Sequence, residues 1–154
     1  MKTITRTTRA CTFEALNDNL KAAIHAHGVN FGLGDNTSDI VMCCETVSVT
    51  RKAGLFHSTK TSLSAVYITP QWLVWAESRD KKDARAGSAL LRNIDVRDYQ
   101  DTASNLSMPD EGLNITGRYT DKNRTGIIFI GLDTDIEGRK FRQVLEQAIN
   151  NTGR

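Results

Sequence analysis

The sequence predicts an α+β domain: antiparallel strands, one amphipathic helix at the end, and an additional helix near the start. Three observations carry that prediction. Residues 64–77, SAVYITPQWLVWAE, hold two short β-branched and aromatic runs, 65–69 and 72–76, on either side of Pro70-Gln71. Residues 113–119 and 125–132 repeat the arrangement around Asp121-Lys122-Asn123. Residues 135–150 place Phe141, Val144, Leu145, Ala148 and Ile149 on one helical stripe, with Arg139, Lys140, Arg142 and Glu146 toward water.

Size and composition set the frame. A chain of 154 residues supports one ordinary core and not two comfortable domains. Its 39% apolar and 25% charged residues suit a globular protein. A formal charge of +2 gives no global field toward nucleic acid or membrane, so any such partner needs a local patch, and no nucleic-acid role is expected. The first residues lack the apolar core of a signal peptide, and no run reaches the span of a bilayer, which points to the cytoplasm. Cys11, Cys43 and Cys44 are then expected as free thiols. Adjacent strand residues face opposite ways, so Cys43 and Cys44 cannot readily share a metal.

Taken in order, residues 1–10 are polar and threonine-rich and are expected to be loose. A helix is predicted over 12–27, capped by Thr12, with Phe13, Leu16, Leu20, Ala23, Ile24 and His27 on one stripe and Gly28 as its stop. Residues 29–39, with Gly32-Leu33-Gly34-Asp35-Asn36, read as a loop. The extension 1–39 is thus expected to pack on a domain formed by 40–154. Residues 40–50 alternate as a strand, and 51–60 form a basic, glycine-containing connection. In the hairpin that follows, Pro70 suits a turn corner and cannot continue a central ladder. Alternation puts Trp72, Val74 and Ala76 on one face and Leu73 and Trp75 on the other, predicting burial on both sides. Residues 79–85 read as a solvated charged tip.

Residues 89–99 return to strand character with broken alternation: Leu90, Ile94 and Val96 on one side, Leu91, Asn93 and Asp95 on the other. A polar loop covers 100–111. Ile127-Ile128-Phe129-Ile130 is apolar on both faces and is expected to be buried. Thr134-Asp135-Ile136-Glu137 reads as a capping box for the last helix.

A small barrel with one open end would expose its core there, and the last helix has the face to plug it. Tyr67-Ile68-Thr69-Pro70-Gln71-Trp72-Leu73-Val74-Trp75, then Ile94-Asp95-Val96-Arg97-Asp98-Tyr99 and the helix over 135–150, together resemble the pleckstrin-homology-like superfold, particularly its bacterial and GRAM-like branches. The resemblance runs from about residue 40 to the C-terminus. It implies an antiparallel β-barrel or sandwich capped by the C-terminal helix. In lipid-binding domains of that fold a basic loop between the first strands holds a phosphate headgroup. The resemblance therefore implies Arg51, Lys52, His57 and Lys60 as anion-binding candidates, with Leu55 and Phe56 dipping toward the interface. The usual lysine-then-Lys/Arg-x-Arg spacing is absent here. Residues 51–76 contain no acidic side chain.

Other motifs are weaker. His25 and His27, two apart on a helix, do not face each other, so no metal is assigned. Gly32-Leu33-Gly34 lacks the later glycine of a dinucleotide fingerprint and reads as a turn. His57 beside Ser58 is sequence adjacency, and Glu45, Glu77, Asp95 and Asp98 are scattered, so no catalytic residue or cofactor is assigned. Trp72 and Trp75 are partner-binding candidates as well as core candidates. Three functions stand open. The first is a non-catalytic module binding a protein or peptide, a second copy of itself included, through the tryptophan strand and the N-terminal helix. The second is peripheral binding to anionic phospholipid through Arg51, Lys52 and Lys60. The third is a small-ligand or enzymatic pocket beside the barrel.

Overall fold

Threonines alternating with Lys2, Ile4, Arg6 and Thr8 give the N-terminus strand propensity without an apolar face. In the computed structural model, which describes residues 2–80, 83–122 and 124–153, this segment is strand β1, Lys2–Ala10. It pairs antiparallel with β2, Met42–Lys52, from Lys2↔Lys52 to Ala10↔Cys44. The expectation of a loose tail is corrected for residues 2–10, while Met1 lies outside the described residues. Ile4, Arg6 and Thr8 turn inward, and Thr3, Thr5 and Thr7 face solvent.

The sheet continues as a meander through β3, Ser58–Ile68, β4, Trp72–Arg79, and β5, Arg85–Leu90, in the order β1-β2-β3-β4-β5. The tryptophan hairpin is β3–β4, in register Ile68↔Leu73. Its turn closes on Thr69, whose hydroxyl accepts from the Gln71 and Trp72 backbone N–H groups at 3.3 and 2.9 Å. Lys81 and Lys82 of the charged tip lie outside the described residues.

The broken alternation over 89–99 marks a change of sheet. A 3-10 turn at Leu91–Asn93 ends β5, and β6, Ile94–Asp98, starts a second antiparallel sheet with β7, Gly112–Arg118, and β8, Thr125–Gly131. A second 3-10 turn, Tyr99–Asp101, and the short helix α2, Ser104–Ser107, fill the connection from β6 to β7; to number helices in chain order, α1 is Asp18–Phe31 and α3 is Ile136–Asn150. Asn123, in the turn expected between β7 and β8, lies outside the described residues. Among the described residues the two sheets form no closed barrel, so the coarse α+β expectation stands and barrel closure does not.

α1 starts later and ends later than expected. Thr12 makes no cap; Phe13–Ala15 is a 3-10 turn, and Asn17 caps α1 by accepting from the Asn19 backbone N–H at 2.9 Å. Gly28 stays inside the helix because Gly32, at φ 66°, supplies the left-handed stop. At α3 the expected capping box does not form: Asp135 holds the N-cap position without a side-chain bond, and the Thr134 hydroxyl donates instead to Glu111 Oε1 at 3.1 Å.

The first sheet has apolar material on both faces. Leu16, Leu20 and Ile24 cover Cys43, Tyr67, Val74 and Ala76 on one side, with Trp72 at the margin. On the other side Cys44, Val66 and Leu73 meet Ile94, Leu113, Ile115 and Ile130 of the second sheet and Phe141 and Leu145 of α3, with Trp75 alongside. The predicted alternation in β4 and the opposed cysteines are both observed. β8 differs from expectation. Ile128 and Ile130 pack inward, but Ile127 is 67% exposed and Phe129 36%, because the core covers one face of the second sheet; Phe129 lies on the other face beside Tyr99.

Candidate functional site

β2 and β3 are each 11 residues long and pair to Lys52↔Ser58, whereas β4 leaves β3 at Ser62↔Arg79. The β2–β3 hairpin therefore projects past β4. Its turn carries Gly54 at φ 130° and ends in Leu55 and Phe56, 94% and 88% exposed. The four residues expected to bind anions gather around this tip. Lys52 and Lys60 line the inner face, toward the second sheet. Arg51 and His57 line a hollow of about 280 Å³ with Thr3 and Thr59, and Lys52 borders it too. Lys2, brought opposite Lys52 by β1, joins the group. Reading residues 1–10 as a loose tail hides Lys2, although the alternation of β1 is a usable signal.

On the inner face the register builds rows of side chains. From the tip these read Lys2, Lys52 and Ser58; Ile4, Thr50 and Lys60; Arg6, Ser48, Ser62 and Arg79; Thr8, Thr46, Ser64 and Glu77; and then Ala10, Cys44, Val66 and Trp75. The tip end of the face carries cations, the middle rows mix hydroxyls with the paired Arg6, Arg79 and Glu77, and the far end is apolar. Together with Ile128 to Gly131 of β8 this face bounds a groove of about 630 Å³. Arg6 closes one wall. Its Nε and Nη2 donate to the Asp110 carboxylate at 2.9 and 2.8 Å, Nη1 donates to Ser48 Oγ, and the guanidinium sits 5.2 Å from the Phe129 ring centroid. Lys60 stands 3.8 Å from Asp80, and Arg79 pairs with Glu77 at 3.0 Å.

The two tryptophans part company. Trp75 lines the groove and meets Tyr119 edge-on at 5.7 Å, whereas Trp72 packs with the α1 cluster. Sequence reasoning did not find a second hollow, about 670 Å³, between α1 and the β3–β4 face. There the Tyr67 hydroxyl donates to Asn36 Oδ1 at 2.7 Å, and burial pushes the phenol up to about 12, so it stays a donor.

No protein-family model, no curated protein and no solved structure matches the chain. Its side chains must carry the functional reading.

The catalytic and metal chemistry that the sequence left unassigned has structural uses for its residues. Glu45 is buried and accepts from Arg9 at 2.9 Å and from the Asn17 backbone N–H at 2.7 Å. Asp98 pairs with Arg142 at 2.8 Å. His27 is buried with Nε2 2.8 Å from Ser88 Oγ, while His25 faces solvent. Burial raises the Cys43 thiol and pushes Cys44 up to about 12, which keeps both protonated. Among the described residues, His57 is in no ion pair, and no three His, Cys, Asp or Glu side chains group as a metal site. No helix among the described residues is long and apolar enough to cross a membrane.

Proposed function

We propose that this chain is a pleckstrin-homology-like module that docks peripherally on anionic phospholipid, at the cytoplasmic face, through the β2–β3 tip. One observation carries the reading: Leu55 and Phe56 stand almost wholly in water at the apex of a projecting hairpin, with Lys2, Arg51, Lys52, His57 and Lys60 just behind them. Burying apolar surface gains about 25 cal/mol per Å², and each Lys or Arg at an anionic surface adds about 1 kcal/mol. Neither term alone anchors a protein stably, and a wedge with a basic collar combines both. The two antiparallel sheets with a C-terminal helix support the assignment to this kind of module.

The protein-partner reading has less support in the side chains that motivated it. Leu20 and Ile24 of the α1 stripe are buried on the first sheet, and Trp72 and Trp75 of β4 are each partly buried in the two core clusters.

The test is co-sedimentation with neutral phosphatidylcholine vesicles and with vesicles containing phosphatidylserine, at low and physiological salt. The chain should bind the anionic vesicles, more weakly as salt rises. Lys52→Glu/Lys60→Glu and Leu55→Ser/Phe56→Ser should each lower binding about tenfold or more. Absence of binding, or binding that both double variants leave unchanged, would overturn the proposal.

A further inference from the structure

We infer that the hollow between α1 and the β3–β4 face binds a small organic cation: an ammonium group on an aromatic body that carries an oxygen acceptor. The hollow lies on the α1 side of the first sheet, opposite the groove and the second sheet, and the inference does not rest on the membrane reading above.

Charge selects the sign of the occupant. Glu14 and Asp35 are exposed at the rim, and no lysine or arginine lines the hollow. Neither carboxylate is in an ion pair among the described residues. Lys21 turns to the Glu14 carbonyl at 3.0 Å and to Asp18 at 3.4 Å. Asp35 accepts from the Thr37 backbone N–H and hydroxyl at 3.1 and 2.6 Å, and these donors hold its carboxyl below the ordinary carboxylate value. It is therefore charged at neutral pH. The groove across the sheet differs, since Asp110, Asp80 and Glu77 there each have a basic partner. A concavity whose rim carries one sign of charge over apolar walls concentrates the opposite ion.

The walls select the body. Ile24, Tyr67 and Val74 are buried at the floor, and Phe13 meets Tyr67 edge-on, with centroids 6.0 Å apart and rings at 90°. Two ring planes at right angles make the corner of an aromatic cage, which attracts an ammonium group through the ring quadrupoles. Gly28, Gly32 and Gly34 border the hollow without side chains, and a Cβ at Gly32 or Gly34 would meet nothing within 4 Å, so the entrance is open. The volume of about 670 Å³ falls within the range of about 300–1,000 Å³ typical of small-molecule sites.

Asn36 adds a third requirement. Its Oδ1 takes up the Tyr67 hydroxyl at 2.7 Å, and its Nδ2 is buried with no acceptor among the described residues. A buried donor left unpaired is costly, and an oxygen on the occupant supplies the partner.

The test follows the amide resonances of Gly28, Gly32 and Gly34 in the ¹⁵N-labelled chain during titration with tyramine at neutral pH. Three further probes each lack one feature: tyrosol has an alcohol in place of the amine, phenethylamine lacks the hydroxyl, and methylammonium lacks the aromatic body. Tyramine should shift the glycines saturably and bind more tightly than any of the three. Glu14→Gln/Asp35→Asn, at two exposed positions, should weaken tyramine about fivefold or more and leave tyrosol unchanged. Phe13→Leu keeps an apolar wall without the ring and should weaken tyramine about threefold or more. Thermal melts confirm that each variant is folded. Absence of a saturable shift, affinity for any of the three probes equal to that for tyramine, or full tyramine affinity in either folded variant overturns the inference.

Discussion

Thr8 and Asp133, 125 residues apart, hold each other by reciprocal hydrogen bonds: the Thr8 backbone N–H donates to Asp133 Oδ2 at 2.7 Å, and the Asp133 backbone N–H donates to Thr8 Oγ1 at 3.0 Å. Both residues are buried. The remaining capacity is used too, since Thr8 Oγ1 lies 2.9 Å from Thr46 Oγ1 and Asp133 Oδ1 accepts from the Asp135 backbone N–H at 3.1 Å. This lock fastens the edge strand β1 to the chain entering α3. Asp133→Ala would leave buried donors without an acceptor and should cost about 2–4 kcal/mol, read from the urea midpoint at constant slope. Asp133→Asn keeps one acceptor oxygen and should cost less. Loss of under about 0.5 kcal/mol in both, the range of an unimportant surface change, would show that the lock is not holding β1.

Gly87 and Gly28 should respond oppositely to alanine. Gly87 faces Trp75 across the β4–β5 ladder, and a Cβ there would lie 2.7 Å from three atoms of the indole ring. Gly87→Ala must displace Trp75 from its edge-on contact with Tyr119 and should destabilise by about 1–3 kcal/mol, with a change in tryptophan emission. At Gly28 an added Cβ meets only Gly34 O, at 3.8 Å, in the interior of α1. Gly28→Ala should therefore stabilise by about 0.5–1 kcal/mol. Thermal melts of the two variants decide this, and a destabilised Gly28→Ala would mean that the helix depends on glycine at that position.

These residues also indicate why part of the fold was legible and part was not. β4 could be read because Val74 and Leu73 bury opposite faces with a period of two, and α3 because Phe141, Leu145 and Ala148 keep helical spacing. β1 could not be read by hydrophobicity, since Lys2, Ile4 and Arg6 line a polar groove and Thr8 is buried on polar partners, leaving Ile4 as the one apolar side chain of these four. The change of sheet at Leu91–Asn93 was present in the sequence as faulty alternation, which by itself does not distinguish a bend from a break. The basic tip was visible because no acid interrupts residues 51–76, yet Lys2 reaches it only through a pairing 50 positions away, which no local pattern encodes. The apolar run at 127–130 misled because burial of both faces needs a covering layer on each side, and the core covers the second sheet on the side of Ile128 and Ile130.

The thiols should differ in reactivity. Cys43 and Cys44 lie buried on opposite faces of β2, and burial raises both, so neither supplies thiolate at neutral pH. Cys11 is half-buried at the end of β1 and is raised by burial, an effect that Arg9 opposes. An aromatic disulfide reagent should modify Cys11 alone in the native chain, slowly, and all three thiols after denaturation. Rapid native reaction at Cys43 or Cys44 would mean that β2 opens far more readily than its burial implies.

Acid should weaken the fold through His27. Burial lowers its pKa from the ordinary 6.5, and Asp121 opposes this only in part. The imidazole is held neutral between Ser88, itself bonded to Thr120 at 2.7 Å, and the Phe31 ring 4.7 Å away. The unfolded chain, with an ordinary imidazole, takes up its proton at a higher pH than the folded chain does. Below the unfolded pKa the unfolded state therefore binds more protons, and stability drains away as pH falls from 6.5 toward the lowered folded value, where the loss levels off. Urea midpoints should accordingly fall between about pH 7.5 and about pH 5.5, above the range in which ordinary carboxylates titrate. His27→Gln, which has no proton to gain, should be less stable at the upper end but flatter across that window. A wild-type slope that survives His27→Gln would place the acid sensitivity elsewhere, whereas its loss would identify the buried His27 as its source.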